Sequence, residues 1–222
     1  MSPDLSTLYP PLGLRITSGD LTLRLLDDAD LPEFAALLRR PIFDDPHADY
    51  VFPWYREDPD VREREALQYQ WSLRAGVRPE KWELSFGVFA AGELVGMQDI
   101  RAEDLAVRAL VRSGSWLTAD AQGRGLGSRM RRMIVAFVFD YLGADRAQSG
   151  AYQGNDSSAR VSRACGYRDN GTTVHVEEGV RLVAQEFLVT PETFVRNSVE
   201  IEVAGWTAPL REMLGVRWPS RK

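Results

Sequence analysis

The sequence predicts an α/β protein of the α+β type, a single domain in which helices cover a mixed, twisted sheet. Segments with helical spacing of apolar residues alternate with strand-like segments along most of the 222 residues. Two hairpin signals require antiparallel pairs, so the sheet is mixed rather than purely parallel. The chain contains no repeat, low-complexity tract or linker, and its composition is that of an ordinary globular protein.

Three regions are predicted along the chain. Residues 1–20 are rich in Pro, Gly, Ser and Thr and are predicted to form an N-terminal arm. Residues 21–190 carry the regular patterns and are predicted to form the domain. Residues 191–222 form a C-terminal tail, in which "PETFVRNSVEIEV" has a helix-like pattern. Its apolar positions favour packing on the domain or on a partner subunit, so a homodimer is one expectation.

The first half of the domain predicts a strand, two helices and a hairpin. "LTLRLL" alternates as a strand does, and "DDADLPEFAALLRR" has a helical apolar face that ends at Pro41. Residues 41–60 form a long loop dense in Pro, Asp and aromatic residues, and Trp54 within it is a candidate wall of a substrate pocket. A second helix ends at Gly76, and two β-rich runs flank the turn signal "AGE".

The second half predicts a strand, a helix, a strand, a short helix and a further hairpin. "GSWLT" is a strand, and the amphipathic helix that follows the glycine-rich segment ends at Gly143. "RAQSGAY" is a strand, and "NDSSARVSRACGY" is a helix capped near Asn155 or Asp156. "TVHVEE" and "VRLVAQEFLV" form the hairpin. The arginines of "SRMRR" are predicted to lie on a solvated helix face, apart from Arg129, which lies near the glycines.

Composition excludes several classes of function. The formal net charge of −5 provides no electrostatic footprint for nucleic acid. The single cysteine, Cys165, cannot form a disulfide within the chain and is expected to be a small core residue in a reducing cytoplasm. We expect no membrane contact, because the N-terminus lacks signal-peptide features and no apolar run could span a bilayer. We expect no metal, because the two histidines lack partners at ligand spacing.

The segment "QGRGLG", between a strand and a helix, is typical of a phosphate-binding turn. Backbone N–H groups at a helix start have no intrahelical partner, and glycine lets a bulky anion approach the chain. A P-loop requires Gly-Lys-Ser/Thr at the helix start, which this segment lacks. The dinucleotide fingerprint requires G-x-G-x-x-G near the start of a βαβ unit, whereas the spacing here is G-x-G-x-G after a hairpin. Coenzyme A is the third ligand class.

Two motifs carry a resemblance to a known superfamily. "QGRGLG" resembles the Gln/Arg-x-x-Gly-x-Gly/Ala signature of the GNAT acyltransferases, with Gln122, Gly125 and Gly127 at the defining positions. "NDSSARVSRACGY" resembles their later Asn-x-x-Ser/Ala and Gly-Phe/Tyr motif. With "GSWL" before them, the motifs are most similar to the branch typified by N-terminal (alanine) acetyltransferases of ribosomal proteins. The resemblance covers residues 20–190 and is specific over 112–170.

The resemblance implies both a fold and an acetyl-CoA site. The sheet would be split open between two central parallel strands, "GSWLT" and "RAQSGAY", with helices on both faces and acyl-CoA in the split. The backbone of Leu117 and Thr118 would pair with the pantetheine arm, and Asn155, Ser158 and Ser162 would approach it from the other side. The pyrophosphate would lie on the loop and helix start, formed by Gln122, Gly123, Arg124, Gly125, Leu126, Gly127, Ser128 and Arg129.

Acyl transfer from a thioester to an amine needs a base that removes the proton of the amine. Asp99 at a strand end and Glu103 in the following loop are the candidate bases, with Asp104 beside them. We favour Asp99, because a strand end fixes a side chain more firmly than a loop does. Asp99 and Trp54 are also the candidate acceptor contacts.

The residue that protonates the leaving thiolate is a second open question. Many superfamily members have a tyrosine seven residues after the motif asparagine, and Ser162 stands at that position here. Ser158 is the candidate donor instead, unless the thiolate leaves unprotonated.

The predicted function is that of a cytoplasmic, acetyl-CoA-dependent N-acetyltransferase. It would move the acetyl group directly to a primary amine, at a peptide N-terminus or on a small molecule, by general-base-assisted attack on the thioester. The alternative is an acyl-CoA-binding regulatory or interaction module without turnover, which Ser162 and the absence of an obvious base favour. A longer acyl donor is a third alternative.

Overall fold

A mixed sheet lies at the centre of the computed structural model, which describes residues 4–177 and 179–216. Residues 1–3 of the predicted arm and 217–222 of the predicted tail lie outside the described residues. The described strands are β1 (Arg15–Ser18), β2 (Leu21–Leu25), β3 (Lys81–Ala90), β4 (Glu93–Glu103), β5 (Leu110–Leu117), β6 (Arg146–Tyr152), β7 (Arg168–Glu177), β8 (Val180–Val189) and β9 (Glu202–Ala204). Their order across the sheet is β7-β8-β6-β5-β4-β3-β2-β1-β9.

Helices cover both faces of the sheet. They are α1 (Leu5–Leu8), α2 (Leu31–Leu37), α3 (Pro53–Arg56), α4 (Pro59–Gly76), α5 (Leu105–Arg108), α6 (Leu126–Asp140), α7 (Asp156–Ala164) and α8 (Ala208–Met213), with short 3₁₀ turns at Pro10–Gly13 and Ala119–Ala121. A smaller apolar cluster joins α2 to one face, and a larger one joins α6 to the other. Within the described residues, no helix is long and apolar enough to cross a bilayer. The predicted fold class is confirmed.

Strand pairing is antiparallel except at the centre of the sheet. Among the pairs that the structure describes, β5 and β6 alone run parallel, as the resemblance implies. The predicted hairpin is β3–β4, closed by Ala91 with φ 50° and Gly92 with φ 88°. Two consecutive left-handed residues form the turn whose twist matches that of the flanking strands. β7 and β8 form the second predicted hairpin.

The N-terminal boundary at residue 20 was predicted wrongly. Arg15–Ser18 forms β1, which pairs with β2 and with β9 from the tail. Leu14 and Ile16 are fully buried, so the sheet begins inside the predicted arm. The error has a physical reason: the pairing of β1 with β9 joins residues nearly two hundred positions apart, and no local pattern shows it.

The described part of the tail packs on its own domain. Phe194 contacts Phe139 of α6, and Trp206 contacts Phe137 of the same helix. Leu214 is fully buried, and its carbonyl accepts a hydrogen bond of 2.9 Å from the Trp82 indole. The predicted helical character of residues 191–203 is wrong. Asn197 adopts φ 52°, which no helix tolerates in its interior.

We predict that Gly205→Ala destabilises the fold by at least about 2 kcal/mol. Gly205 has φ +74°, and an added Cβ would lie 2.0 Å from the Gly13 carbonyl oxygen, so the contact between the tail and the first residues would have to separate. Urea unfolding measures the change. Gly76→Ala is the matched control, because nothing lies within 4 Å of its Cβ position. Equal midpoints for the two variants would contradict the prediction.

Candidate active site

The sheet opens at its centre because the parallel pairing is short. β5 and β6 pair from Leu110–Arg146 to Ser113–Ser149, although β5 continues to Leu117 and β6 to Tyr152. Beside the diverging ends lies a cavity of about 490 Å³, called here the loop cavity. It is bounded by the end of β5, the glycine-rich loop and the start of α7. The molecule therefore has a binding-sized cavity where the sheet stops pairing.

The glycine-rich loop presents backbone N–H groups to this cavity. Gly123 has φ +70° and Gly125 has φ +79°, conformations that favour glycine. The first intrahelical bond of α6 runs from the Arg129 N–H to the Gly125 carbonyl at 3.1 Å, and no side chain caps the helix. The N–H groups of Gly125 to Ser128 thus precede the hydrogen-bonded part of the helix, where an anion is stabilised.

Gln122 and Thr118 hold the loop in place and have little left for a ligand. The Gln122 amide donates to the Ile42 carbonyl at 2.7 Å and to the Leu117 carbonyl at 2.9 Å. Thr118 is fully buried, and its N–H donates to the Val95 carbonyl at 2.9 Å. The predicted pairing of Thr118 with a pantetheine arm is therefore wrong, because its amide completes the sheet instead.

Leu117 and Ser115 offer the free edge of β5. Neighbouring residues of a strand direct their backbone groups to opposite sides, and the Thr118 N–H points to β4. The N–H groups of Leu117 and Ser115 therefore point towards the split. The structure supports Leu117 as a candidate for backbone pairing and adds Ser115, which sequence reasoning missed.

The residues on the helix start divide into two groups. Gly123, Gly125, Gly127 and Ser128 line the loop cavity, and Arg124 is exposed on the loop. Leu126 points into the core with 7% of its surface exposed. Arg129 points away from the cavity: its guanidinium donates to Asp20 at 2.6 Å and to the Ser18 carbonyl at 3.2 Å. Its predicted role beside a phosphate is not supported, since an acid of the β1–β2 turn already pairs with it.

The α7 residues lie on the other side of the loop cavity. The Asn155 side chain caps the helix by accepting from the Ser158 N–H at 3.0 Å, and both residues line the cavity. Ser162 lies one turn deeper and is fully buried, with its hydroxyl 3.0 Å from that of Ser149. Ser162 was predicted to contact the pantetheine arm. The structure places it in a buried hydrogen-bond network instead.

Asp99 lines a second cavity of about 400 Å³, the Asp99 cavity, on the sheet face that carries α2 and α4. Asp99 is opposite Ser85 on β3 and Gly114 on β5. The Ser85 hydroxyl donates to its carboxylate at 2.6 Å. Because Gly114 has no side chain, the floor beside the carboxylate stays open, and an added Cβ would lie 3.9 Å from Asp99 Oδ2.

The surroundings of Asp99 raise its pKa to about 7. Burial is the main cause, the hydrogen bond from Ser85 opposes it, and the nearby Glu83 carboxylate adds to the rise. A carboxyl group whose pKa lies near neutrality is suited to accept and release protons at the pH of a cell.

Glu103 does not join Asp99. It lies four residues further along β4, which is about 13 Å at the rise of a strand. Lys81 binds its carboxylate at 2.9 Å and Arg108 at 3.4 Å, and Lys81 mainly holds its pKa below the usual range. Asp104, which follows it, takes a left-handed backbone conformation before α5. The proposal of Glu103 as a base is thus not supported, because two exposed cations keep it ionised outside the Asp99 cavity.

The two cavities meet at two aromatic residues and a serine. Phe52, Trp116 and Ser115 line both cavities. Trp54 lines the Asp99 cavity and stacks on Phe52 with ring centroids 5.7 Å apart. Tyr50 of the same long loop lies against Gly154, where an added Cβ would be 3.1 Å from its ring. The long loop therefore closes over the junction, as its aromatic content suggested, although the sequence could not single out Phe52 or Tyr50.

A sheet split at its centre, an uncapped helix start beside a cavity and a carboxyl with a pKa of about 7 are the features that an acyltransferase site needs. The chain belongs to the acetyltransferase (GNAT) domain family, whose model matches residues 20–168, more than half of the chain. The family prediction is confirmed.

Solved structures of similar fold agree. Mycobacterium smegmatis RimJ in complex with CoA-disulfide is 22% identical, with 81% of this chain and 86% of that chain covered and a TM-score of 0.67. RimL, a ribosomal L7/L12 alpha-N-protein acetyltransferase in complex with coenzyme A, is 16% identical, with 78% and 95% covered and a TM-score of 0.62. The microcin C7 self-immunity acetyltransferase MccE, in complex with acetyl-CoA and AMP, is 15% identical, with 77% and 92% covered and a TM-score of 0.62. At these identities the likeness supports the fold.

We predict that Asp99 lowers stability as pH rises between about 4 and 7. A carboxyl with pKa about 7 in the folded state keeps a proton that the unfolded chain, at about 4, releases. The unfolded state then binds fewer protons, so the free energy of unfolding falls as pH rises through this window. Asp99→Asn should flatten that part of the curve, measured by urea unfolding across the pH range.

Glu103→Gln is the matched control. The pKa of the Glu103 carboxyl is lowered, so its effect on the free energy of unfolding changes with pH in the opposite direction to that of Asp99. The stabilising contribution of Glu103 is present at neutral pH and is lost in acid. An Asp99 carbon chemical shift that titrates near 4 would contradict the prediction.

Proposed function

We propose that the protein transfers an acetyl group from acetyl-CoA directly to a primary amine, at a peptide N-terminus or on a small molecule. One observation carries the proposal: the loop cavity and the Asp99 cavity meet at Ser115 and Trp116. A donor in the first cavity and an amine in the second would thus meet across β5. RimJ, RimL and MccE, which hold CoA or acetyl-CoA in their structures, support the donor.

The residues of the loop cavity fit coenzyme A. The N–H groups from Gly125 to Ser128 would hold the pyrophosphate. Gly127 lets α6 pack closely on α7, since an added Cβ would already lie 3.4 Å from the Val161 side chain. The free edge of β5 at Leu117 would pair with an amide-bearing arm as an added strand does. Acetyl-CoA would supply the acetyl thioester.

Asp99 removes the proton of the amine in this proposal. A free α-amine has a pKa of about 8, so much of it is protonated at neutral pH, and only the neutral form attacks. The Asp99 carboxylate lies on the floor of an aromatic cavity, and its pKa of about 7 leaves it largely ready to accept a proton at pH 7 to 8. The backbone N–H of Ser115, which lines both cavities, is the donor available to a developing oxyanion.

The walls of the Asp99 cavity favour an amine on a short apolar or peptide chain. Trp54, Trp116 and Phe34 supply apolar surface, and Glu65 adds a second carboxylate. An ammonium group is attracted to both the carboxylates and the ring faces. RimL acts on the N-terminus of a ribosomal protein, which supports a peptide acceptor.

The test is a thiol-release assay with acetyl-CoA and a panel of N-terminal peptides, polyamines, aminoglycosides and amino acids. We expect free CoA to form with one class of amine. Gly125→Trp should abolish release, because a large side chain at φ +79° distorts the loop that would hold the pyrophosphate. Calorimetry with acetyl-CoA follows binding separately. Binding without release from any amine would favour a binding module, and no binding would refute the proposal.

We predict that Asp99→Asn lowers kcat/KM by about 10²- to 10⁴-fold while acetyl-CoA binding is kept. The wild-type value should rise with pH and level off above about 7, because the carboxyl must be ionised to act as a base. The variant should lose that rise. Ser85→Ala should move the rise to higher pH, since the hydrogen bond that lowers the pKa is gone. An unchanged pH profile in Asp99→Asn would exclude Asp99 as the base.

A further inference from the structure

Arg131 is a buried arginine without a carboxylate partner. It lies on α6, has 3% of its surface exposed and lines the loop cavity. Its guanidinium donates to the Ser115 hydroxyl at 3.0 Å and to the Ser162 hydroxyl at 3.4 Å. Its Nε has no hydrogen-bond partner. Among the ion pairs that the described residues form, none includes Arg131.

An unpaired buried charge is expensive to maintain, so its retention requires a reason. The titratable neighbours do not neutralise it. Tyr167, whose ring lies 5.9 Å from the guanidinium, and Cys165 are both buried, and burial raises both pKa values. Both groups are therefore uncharged at neutral pH. Asp99 projects from the opposite face of the sheet, since it is opposite Gly114 while Ser115 is the next residue of β5.

Arg131 lines the loop cavity near the point where β5 and β6 separate. Ser115, to which it donates, follows the last parallel pair of β5 and β6 by two residues and also lines the Asp99 cavity. Ser162, its other partner, is bonded to Ser149 of that last pair. The guanidinium is thus placed where the strands separate and the two cavities meet.

We propose that Arg131 stabilises the thiolate of coenzyme A as it leaves. The inference rests on the proposed function and explains a feature that the resemblance left open. Ser162 stands where many superfamily members have a tyrosine acid, and Arg131 donates to that serine. The positive charge replaces a proton donor, because it lowers the energy of the thiolate anion without transferring a proton to it.

The step balances as follows. The neutral amine nitrogen forms a bond to the thioester carbon, and the proton that the nitrogen then loses passes to Asp99, which has already released the first proton of the ammonium to water. The tetrahedral intermediate then collapses, the C–S bond breaks, and its electron pair leaves with sulfur. The thiolate is stabilised beside Arg131 and takes its proton from water after release.

The test measures the pKa of the CoA thiol while CoA, without an acetyl group, is bound to the protein. Calorimetry first establishes binding, and the ultraviolet absorbance of the thiolate is then followed against pH. We expect a pKa at least about one unit below that of CoA in solution, because a neighbouring cation favours the thiolate. Arg131→Gln should remove the shift, and Arg131→Lys should keep part of it.

Arg132→Gln is the matched control. Arg132 is the next residue of α6, but it is only half-buried, does not line the loop cavity and donates to the carbonyls of Val195 and Ala164. It should leave the bound thiol unchanged. In turnover, Arg131→Gln should lower kcat by about tenfold or more with little change in the KM of the amine.

Three results would overturn the inference. If the thiol of CoA bound to the wild-type protein has the same pKa as in solution, the inference is refuted, and no variant is needed to show it. A shift that persists in a folded Arg131→Gln would assign it to another group. Failure of the wild-type protein to bind CoA would refute both the proposed function and this inference. Binding of CoA without a shift in the thiol pKa would refute this inference alone. Where Arg131→Gln does not fold, the wild-type and Arg131→Lys titrations still decide.

Discussion

The short parallel pairing of β5 with β6 is the constraint on which the site depends. Four residue pairs join the two strands, and over the next four residues of β5 the side that faced β6 is paired with no strand of the described sheet. Backbone groups in that position need hydrogen-bond partners, because burying them unpaired is unfavourable. The antiparallel partner β4 keeps β5 straight up to Leu117. The free edge is thus held rigid on one side and offered to a ligand on the other.

The same opening organises the elements around it. The turn after β5 brings the glycine-rich loop to the mouth of the split, and Gln122 ties that loop to the end of β5 and to the long loop at Ile42. The long loop in turn packs against Gly154 through Tyr50. Three segments that are distant in sequence are therefore fixed to one another around the cavity. The side-chain amide of Gln122 thus holds the glycine-rich loop in place.

Much of the fold could be predicted, because strand alternation, helical spacing and turn residues are local signals. Asp99 was selected as a strand-end residue and Glu103 as a loop residue, and both placements are wrong: β4 continues past Asp99 and ends at Glu103, because a run of alternating residues does not show where strand pairing stops. The edge pairing of β1 with β9 could not be predicted, because it depends on residues at the two ends of the chain. Arg129 and Arg131 were misassigned together: the first was placed near phosphate and pairs with Asp20, while the second was placed in solvent and is buried. α6 is covered on nearly every side by the sheet, α7 and the tail, and a sequence does not show how many sides of a helix are covered.

Successive side chains of β5 point to opposite faces of the sheet, so the strand can border a proton acceptor on one face and a cation on the other. Gly114 leaves space on the face where Asp99 lies, and Ser115, the next residue, accepts a hydrogen bond from Arg131 on the other face. An acid whose pKa must stay near neutrality cannot lie beside an unscreened guanidinium, because the cation would lower that pKa. A leaving anion has the contrary requirement. The sheet separates the two groups by its own thickness, and the split is where a reacting carbon can reach both.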